Sequence, residues 1–282
     1  MMRSECFKLD TCDTTRIGMS LKQPDSHDAR SLMNPVALRK YAHLVERVHS
    51  AVSEDREARL GLQEFTAAGR IYELMRVVLG SGAPRQVLLS AGIHGDELAG
   101  VEALCEWLES HAYTKFLRRW DITILPCLNP WGYEHGTREN GEGHDLNRAF
   151  NSSHPPQEVL FVQSVLQQRF DLSLELHADE DSSGYYLYET SLPGVDIGHR
   201  ILERTRTVMP VNLDATIDGK SSDGGVIARC GEPGTRTRQP MALYGLAHGI
   251  PCSLTMEAGQ SPLQRQVQAH LQAIEAALGL CS

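Results

Sequence analysis

Residues 85–93 read RQVLLSAGI, an almost unbroken apolar run in a chain of 282 residues. A strand of that composition has to be covered on both faces, as in a parallel sheet with helices packed above and below. The next segment fits. ELAGVEALCEWLESH (97–111) sets Leu98, Val101, Leu104, Cys105 and Leu108 on one side of a helix. The alternation recurs along the chain. Strands are predicted at 122–130 (ITILPCLNP), 171–179 (DLSLELHAD) and 252–259 (CSLTMEAG), and helices at 157–170, 192–209 and 262–280. Strands alternating with helices imply an α/β fold with a mostly parallel sheet between helices.

Other segments fill in the frame. VALRKYAHLVERVHSAVSE, after Pro35, has helical spacing. IYELMRVVLG (71–80) reads as a strand lying beside 85–93, joined to it by the turn-forming SGAP, and GYYLYET (184–190) as a further strand. Residues 210–240, rich in Gly, Asp, Ser and Thr, read as a long loop system. There is no internal repeat and no Pro-, Gly- or Ser-rich linker, so residues 35–282 are expected to form one domain, with 1–34 a polar N-terminal extension.

The formal net charge is −9, which argues against nucleic acid or an anionic membrane surface as the main partner. A local pair of arginines can still serve a small anionic substrate. Seven scattered cysteines, none in a C-x-x-C pair, suggest neither a disulfide framework nor a Cys-rich zinc module. With no signal-like apolar stretch at the start and no run of 18 apolar residues, the expected location is cytoplasmic.

The informative pattern lies at the ends of the apolar strands. His94-Gly95-Asp96-Glu97 comes directly after the first. Asn129-Pro130 and a Gly-rich loop, WGYEHGTRENGEGHDLNRAF, come after the second. His177, with Asp179, Glu180 and Asp181 behind it, ends the third, and Glu257 closes the fourth. Ligands of open α/β sheets bind where strands end in this way. A catalytic zinc site needs three His or carboxylate ligands and an open fourth position, and His94, Glu97 and His177 supply such a set. Alone, His-x-x-Glu is a weak signal, since a histidine at a strand end is more often a hydrogen-bonded structural residue; the combination with His177 and Glu257 in like positions is what points to a metal. Glu257, at the edge of apolar surroundings, is either paired with an arginine or poised as a general base. Arg138 and Arg148 are either solvated loop residues or, beside a cation, binders of an anion.

The ordered set HGDE (94–97), NPWG (129–132), TREN (137–140), DLNRAF (145–150), ELH (175–177) and TMEAG (255–259) resembles the motifs of the zinc carboxypeptidase superfamily. That superfamily includes murein-peptide amidases and the succinylglutamate desuccinylase/aspartoacylase branch. The resemblance spans roughly residues 65–280 and implies a mixed, mostly parallel eight-stranded sheet. It implies one Zn2+ held by His94, Glu97 and His177, with Glu257 as general base and proton shuttle. By the same resemblance Arg138 stabilises the oxyanion, Asn147 and Arg148 hold the substrate carboxylate, and Asp145 orients the first histidine.

LNPWG stands closer to the peptidase pattern than to that of the deacylases. Tyr244 does not match the spacing of the tyrosine that digestive-type members use. The run ADED after His177 is a solvated turn, a subsite for a cationic group, or ligands for a second metal at Asp179, Glu180 and Asp181. The expected function is therefore a carboxypeptidase-like metallopeptidase cleaving an amide next to a free carboxylate, in a peptide or an acyl amino acid. The alternatives are an N-acyl amino acid deacylase and a non-catalytic metal-binding module, the latter disfavoured because metal binding alone needs no base.

Overall fold

The computed structural model describes residues 39–192, 196–229 and 238–280. The chain divides into two units, Met1–Ala37 and Leu38–Ser282. The extension expected over 1–34 lies outside the described residues, as does Pro35.

In chain order the elements are α1 (Tyr41–Val52), β1 (Ala58–Ala67), β2 (Arg70–Leu79), β3 (Arg85–Ala91), α2 (Leu98–Glu109), β4 (Trp120–Leu125) and α3 (Pro130–His135). They continue as α4 (Gln157–Val165), β5 (Leu172–Asp179), β6 (Tyr186–Ser191), α5 (Gly198–Thr205), β7 (Thr216–Ile217), β8 (Lys220–Ser221) and β9 (Val226–Arg229). The last three are α6 (Met241–Ala247), β10 (Cys252–Gly259) and α7 (Leu263–Leu280).

Eight strands form one sheet in the order β1-β2-β4-β3-β5-β10-β6-β9, and β7 and β8 form a separate two-stranded hairpin. Pairing is parallel for β4/β3, β3/β5, β5/β10 and β6/β9. It is antiparallel for β1/β2, β2/β4 and β10/β6. The sheet is therefore mixed and mostly parallel, as expected.

Helices cover both faces at its centre. Successive residues of a strand point to opposite faces. Gly100 of α2 packs on Ala91 and Leu176, while Met241 of α6 meets Ser90. His177 and Glu257, opposite one another in the β5/β10 register, share the α6 face with Ser90 and Glu175, themselves paired.

Several expectations need correction. β2 and β3 are not neighbours, because β4 inserts between them; hydropathy marks a buried strand but not its partner. β1, mostly exposed with no clean alternation, gave no readable signal. The predicted strand 122–130 ends at Leu125, and its NPWG sequel is a helix. Pro130 fills the first turn of α3, and Asn129 caps it by accepting the Gly132 N–H at 2.9 Å. Of the helix expected over 192–209, the described residues form Gly198–Thr205. The described part of 210–240 contributes the β7–β8 hairpin and β9. Among the described residues no helix is long and apolar enough to cross a membrane.

Candidate metal centre and active site

His94 and Glu97 leave the end of β3 on a turn that only glycine permits. A Cβ on Gly95 would lie 2.0 Å from the carbonyl carbon of Gly132 and 2.3 Å from the Tyr133 nitrogen. The HGDE turn is thus seated directly on the backbone of α3. His177 arrives from the end of β5. Both imidazoles are buried, and each turns Nδ1 toward the same carboxylate: His94 Nδ1 is 2.6 Å from Glu97 Oε1, and His177 Nδ1 is 2.8 Å from Glu97 Oε2. Among the described residues this is the one His/Cys/Asp/Glu group whose donor atoms converge, all within 4.8 Å of one another.

The electrostatics of the cluster suit a cation. Burial alone would raise the Glu97 carboxyl, but the His177 and His94 imidazoles hold it well below the usual carboxylate range. Burial would lower His177, yet Glu97 and then Glu257 push it up to about 9. A position that favours positive charge so strongly, ringed by imidazole nitrogens and carboxylate oxygens, has the donor set of a zinc site. The residues present fit the metal.

Asp145 stands behind the cluster. Its Oδ1 lies 3.4 Å from His94 Nε2, an ion-pair distance rather than a formed hydrogen bond. Its Oδ2 accepts from Arg138 Nε at 3.2 Å and Nη2 at 3.1 Å. Despite its burial the carboxyl is held well below its ordinary value by His94 and Arg138. Clamped in this way, Arg138 brings Nη1 to 3.3 Å from His94 Nδ1 and 3.5 Å from Glu97 Oε1. Asn129 fixes the Arg138 backbone by donating to its carbonyl at 3.2 Å.

Asn147 and Arg148 sit on a short 3-10 turn, Leu146–Arg148. Asn147 Oδ1 accepts the Met241 N–H at the start of α6 (2.9 Å), which leaves its amide NH2 as a donor. Arg148 Nη1 donates to the Asn147 carbonyl at 2.8 Å. Glu257, on β10, is partly buried, and no described donor hydrogen-bonds its carboxylate. Burial pushes it up to about 7, with His177 opposing the shift and Glu97 adding to it.

These side chains meet in one cavity of about 200 Å³. It is lined by His94, Glu97, Arg138, Asn147, Arg148, His177 and Glu257. The cavity is also lined by Tyr186 and Tyr188 of β6 and by Asp218, none of them anticipated, and by Asp179, which the sequence had marked. Tyr186 donates to Asp179 Oδ2 at 2.9 Å and Tyr188 to Asp218 Oδ2 at 2.6 Å. The period-two tyrosines of GYYLYET were a readable signal for one shared face, and Asp218-Gly219 for a tight hairpin. Asp179, the last residue of β5, also accepts the Asp181 N–H at 3.0 Å through Oδ1, and the chain turns at Glu180-Asp181. Glu180 and Asp181 are exposed, and none of the three belongs to the converging group. Tyr244 stacks on His248, with ring centroids 3.9 Å apart, and does not line the cavity.

The mixed sheet and its loops bring two histidines, several carboxylates and two arginines into one cavity, with a His-Glu-His donor set that could hold a metal ion. Residues 83–261, well over half of the chain, match the family model of the Succinylglutamate desuccinylase/Aspartoacylase catalytic domain. The chain belongs to this family of hydrolytic enzymes, which bears out the resemblance read from its motifs.

Human carboxypeptidase D is 33% identical over 105 residues, 30% of this chain and 8% of that protein. Human N-acyl-aromatic-L-amino acid amidohydrolase (carboxylate-forming) is 31% identical over 123 residues, 38% of this chain and 37% of that one. The chain thus matches under two fifths of the length of either relative. In fold it is similar to a candidate metallopeptidase from Shewanella amazonensis. The TM-score is 0.70 at 22% identity, covering 85% of this chain and 91% of that one.

Proposed function

We propose that the chain is a zinc-dependent hydrolase that cleaves an amide bond next to a free carboxylate. The observation that carries this reading is the partly buried Glu257 carboxylate. It is register-paired with His177 and bound by no described donor, on the edge of a His-Glu-His cluster. A metal site built only to bind an ion does not require it.

In this reading His94, Glu97 and His177 hold the ion. Zinc, when bound, supplies Lewis acidity toward the scissile carbonyl and acidifies a water molecule. Glu257, raised toward 7 by burial, takes the proton from the attacking water and returns it to the departing amine. The fixed Arg138 guanidinium donates to the oxyanion as charge develops there. Asp145 keeps that fork aimed while facing His94. The Asn147 amide NH2 and the Arg148 guanidinium anchor the substrate carboxylate.

The cavity volume of about 200 Å³ falls below the 300–1,000 Å³ common for drug-sized ligands, which favours a single amino-acid-sized group. The family match and the amidohydrolase relative support an N-acyl amino acid as the scissile substrate. The LNPWG motif supports the C-terminal residue of a short peptide. Hydrolysis of N-acyl amino acids and short peptides, measured side by side, separates the two. Elemental analysis comes first: about one zinc per wild-type chain, largely lost in His177→Ala. A wild type that takes up no zinc after reconstitution would sink the hydrolase reading.

A further inference from the structure

One buried histidine has no part in the chemistry above. His270, in the middle of α7, is wholly buried, and its Nε2 lies 3.0 Å from the backbone carbonyl of His177. A carbonyl only accepts, so Nε2 carries the proton. Its Nδ1 lies 3.0 Å from the Tyr185 hydroxyl, which in the neutral imidazole donates to it. The same peptide unit is engaged at its other pole, where the Ala178 N–H donates to Glu97 Oε2 at 3.2 Å. The bonds run in one direction: Tyr185 O–H to His270, His270 N–H to the His177 carbonyl, and Ala178 N–H to Glu97. They end on the carboxylate that both ligand histidines face.

An apolar residue would fill the same space without the cost of burying an imidazole. What His270 adds is a donor at one point of β5. Bonds aligned head to tail polarise one another in a buried setting, and partners that orient metal ligands tune affinity as well as geometry. We propose that His270, held by Tyr185, is a positioning residue of the metal centre. It fixes the 177–178 peptide and through it both His177 and Glu97 Oε2. The inference rests on the metal-site reading above and extends it to two core residues.

The test uses the full chain as wild type, His270→Leu, His270→Gln and Tyr185→Phe. Zinc affinity is measured by chelator competition, and the visible spectrum is recorded after cobalt(II) substitution. Circular dichroism of the metal-free proteins monitors the fold. Loss of the donor in His270→Leu is expected to weaken zinc about 10- to 100-fold and to shift the cobalt bands. His270→Gln, whose amide restores an N–H, should recover most of both. Tyr185→Phe should fall between them.

A folded His270→Leu with wild-type affinity and spectrum overturns the proposal, as does His270→Gln no better than His270→Leu, since packing would then explain the residue. If His270→Leu fails to fold, Tyr185→Phe decides: unchanged affinity and bands overturn it, weakened affinity with shifted bands supports it. A wild type that binds neither zinc nor cobalt overturns the metal-site reading itself and this inference with it, whereas failure of the variants alone leaves that reading standing.

Discussion

Gly95→Ala probes the seam between the HGDE turn and α3. The new Cβ would sit 2.0 Å from the Gly132 carbonyl carbon, 2.3 Å from the Tyr133 nitrogen and 2.4 Å from the Gly132 Cα. All three are backbone atoms, so no side chain can swing aside. Reaching ordinary contact near 3.4 Å requires the two segments to part by about 1.4 Å. Overpacking of this kind typically costs about 1–3 kcal/mol, which is roughly 2–12 °C in Tm for a chain of this size. Arg138 lies three residues beyond α3 and reaches His94 and Glu97 at 3.3 and 3.5 Å, so the same displacement takes it out of range. Misplacement by about 1 Å can cost on the order of 100-fold in rate. Thermal unfolding and kcat/KM, on the better of the two substrate classes, should therefore fall together. Gly61→Ala is the control, since its Cβ meets nothing nearer than the Arg76 carbonyl oxygen at 3.8 Å. A Gly95→Ala protein matching that control in both measurements would refute the steric argument. A lowered Tm with unchanged turnover would refute the coupling to Arg138.

Glu257→Gln should bind zinc normally and lose about 10²- to 10⁴-fold in kcat; near wild-type turnover with full metal content would require another base. Arg148→Ala removes a charged hydrogen-bond donor to the substrate carboxylate, worth about 1.5–3 kcal/mol. It should raise KM about 10- to 100-fold with a smaller change in kcat, and Michaelis kinetics in which kcat alone fell would contradict the anchoring role. Glu158 is buried, accepts from Asn140 at 3.1 Å, and has its carboxyl raised by burial. The unfolded chain therefore ionises first, and stability present below the ordinary carboxylate pKa is lost as pH rises through the raised one. Glu158→Gln should gain on wild type in denaturant unfolding as pH rises above the ordinary carboxylate pKa; a pH-independent difference would reject this assignment.

Much of this was legible in the residues because burial on both faces leaves a mark. β3, β5 and β10 are nearly continuous apolar runs at the sheet's centre, and their ends carry His94, Glu97, His177 and Glu257. Pairing was not legible. Nothing in RQVLLSAGI tells that its partners are β4 and β5 rather than the strand just before it, since register depends on contacts far along the chain. β1 was invisible because an exposed edge strand needs no apolar face. Asn129-Pro130 did carry a helix-start signal that the many glycines downstream obscured. Tyr186, Tyr188 and His270 escaped notice for another reason: a tyrosine in a strand or a histidine in a helix reads as core until its partner is known.

The position of β10 has a consequence for how the protein is made. It is the last of the sheet's strands in chain order, yet it lies between β5 and β6, which do not pair with each other. Without residues 252–259 the pairings of this sheet reduce to two sets, β1-β2-β4-β3-β5 and β6-β9. The β5 edge is then bare, a surface prone to mispairing. At about 5–20 residues per second, the roughly 80 residues from His177 to Glu257 occupy a ribosome for some 4–16 s. Throughout that interval a nascent chain carries every candidate metal ligand and no candidate base. On the proposed reading, delivery of the final strand both closes the sheet and sets Glu257 beside His177.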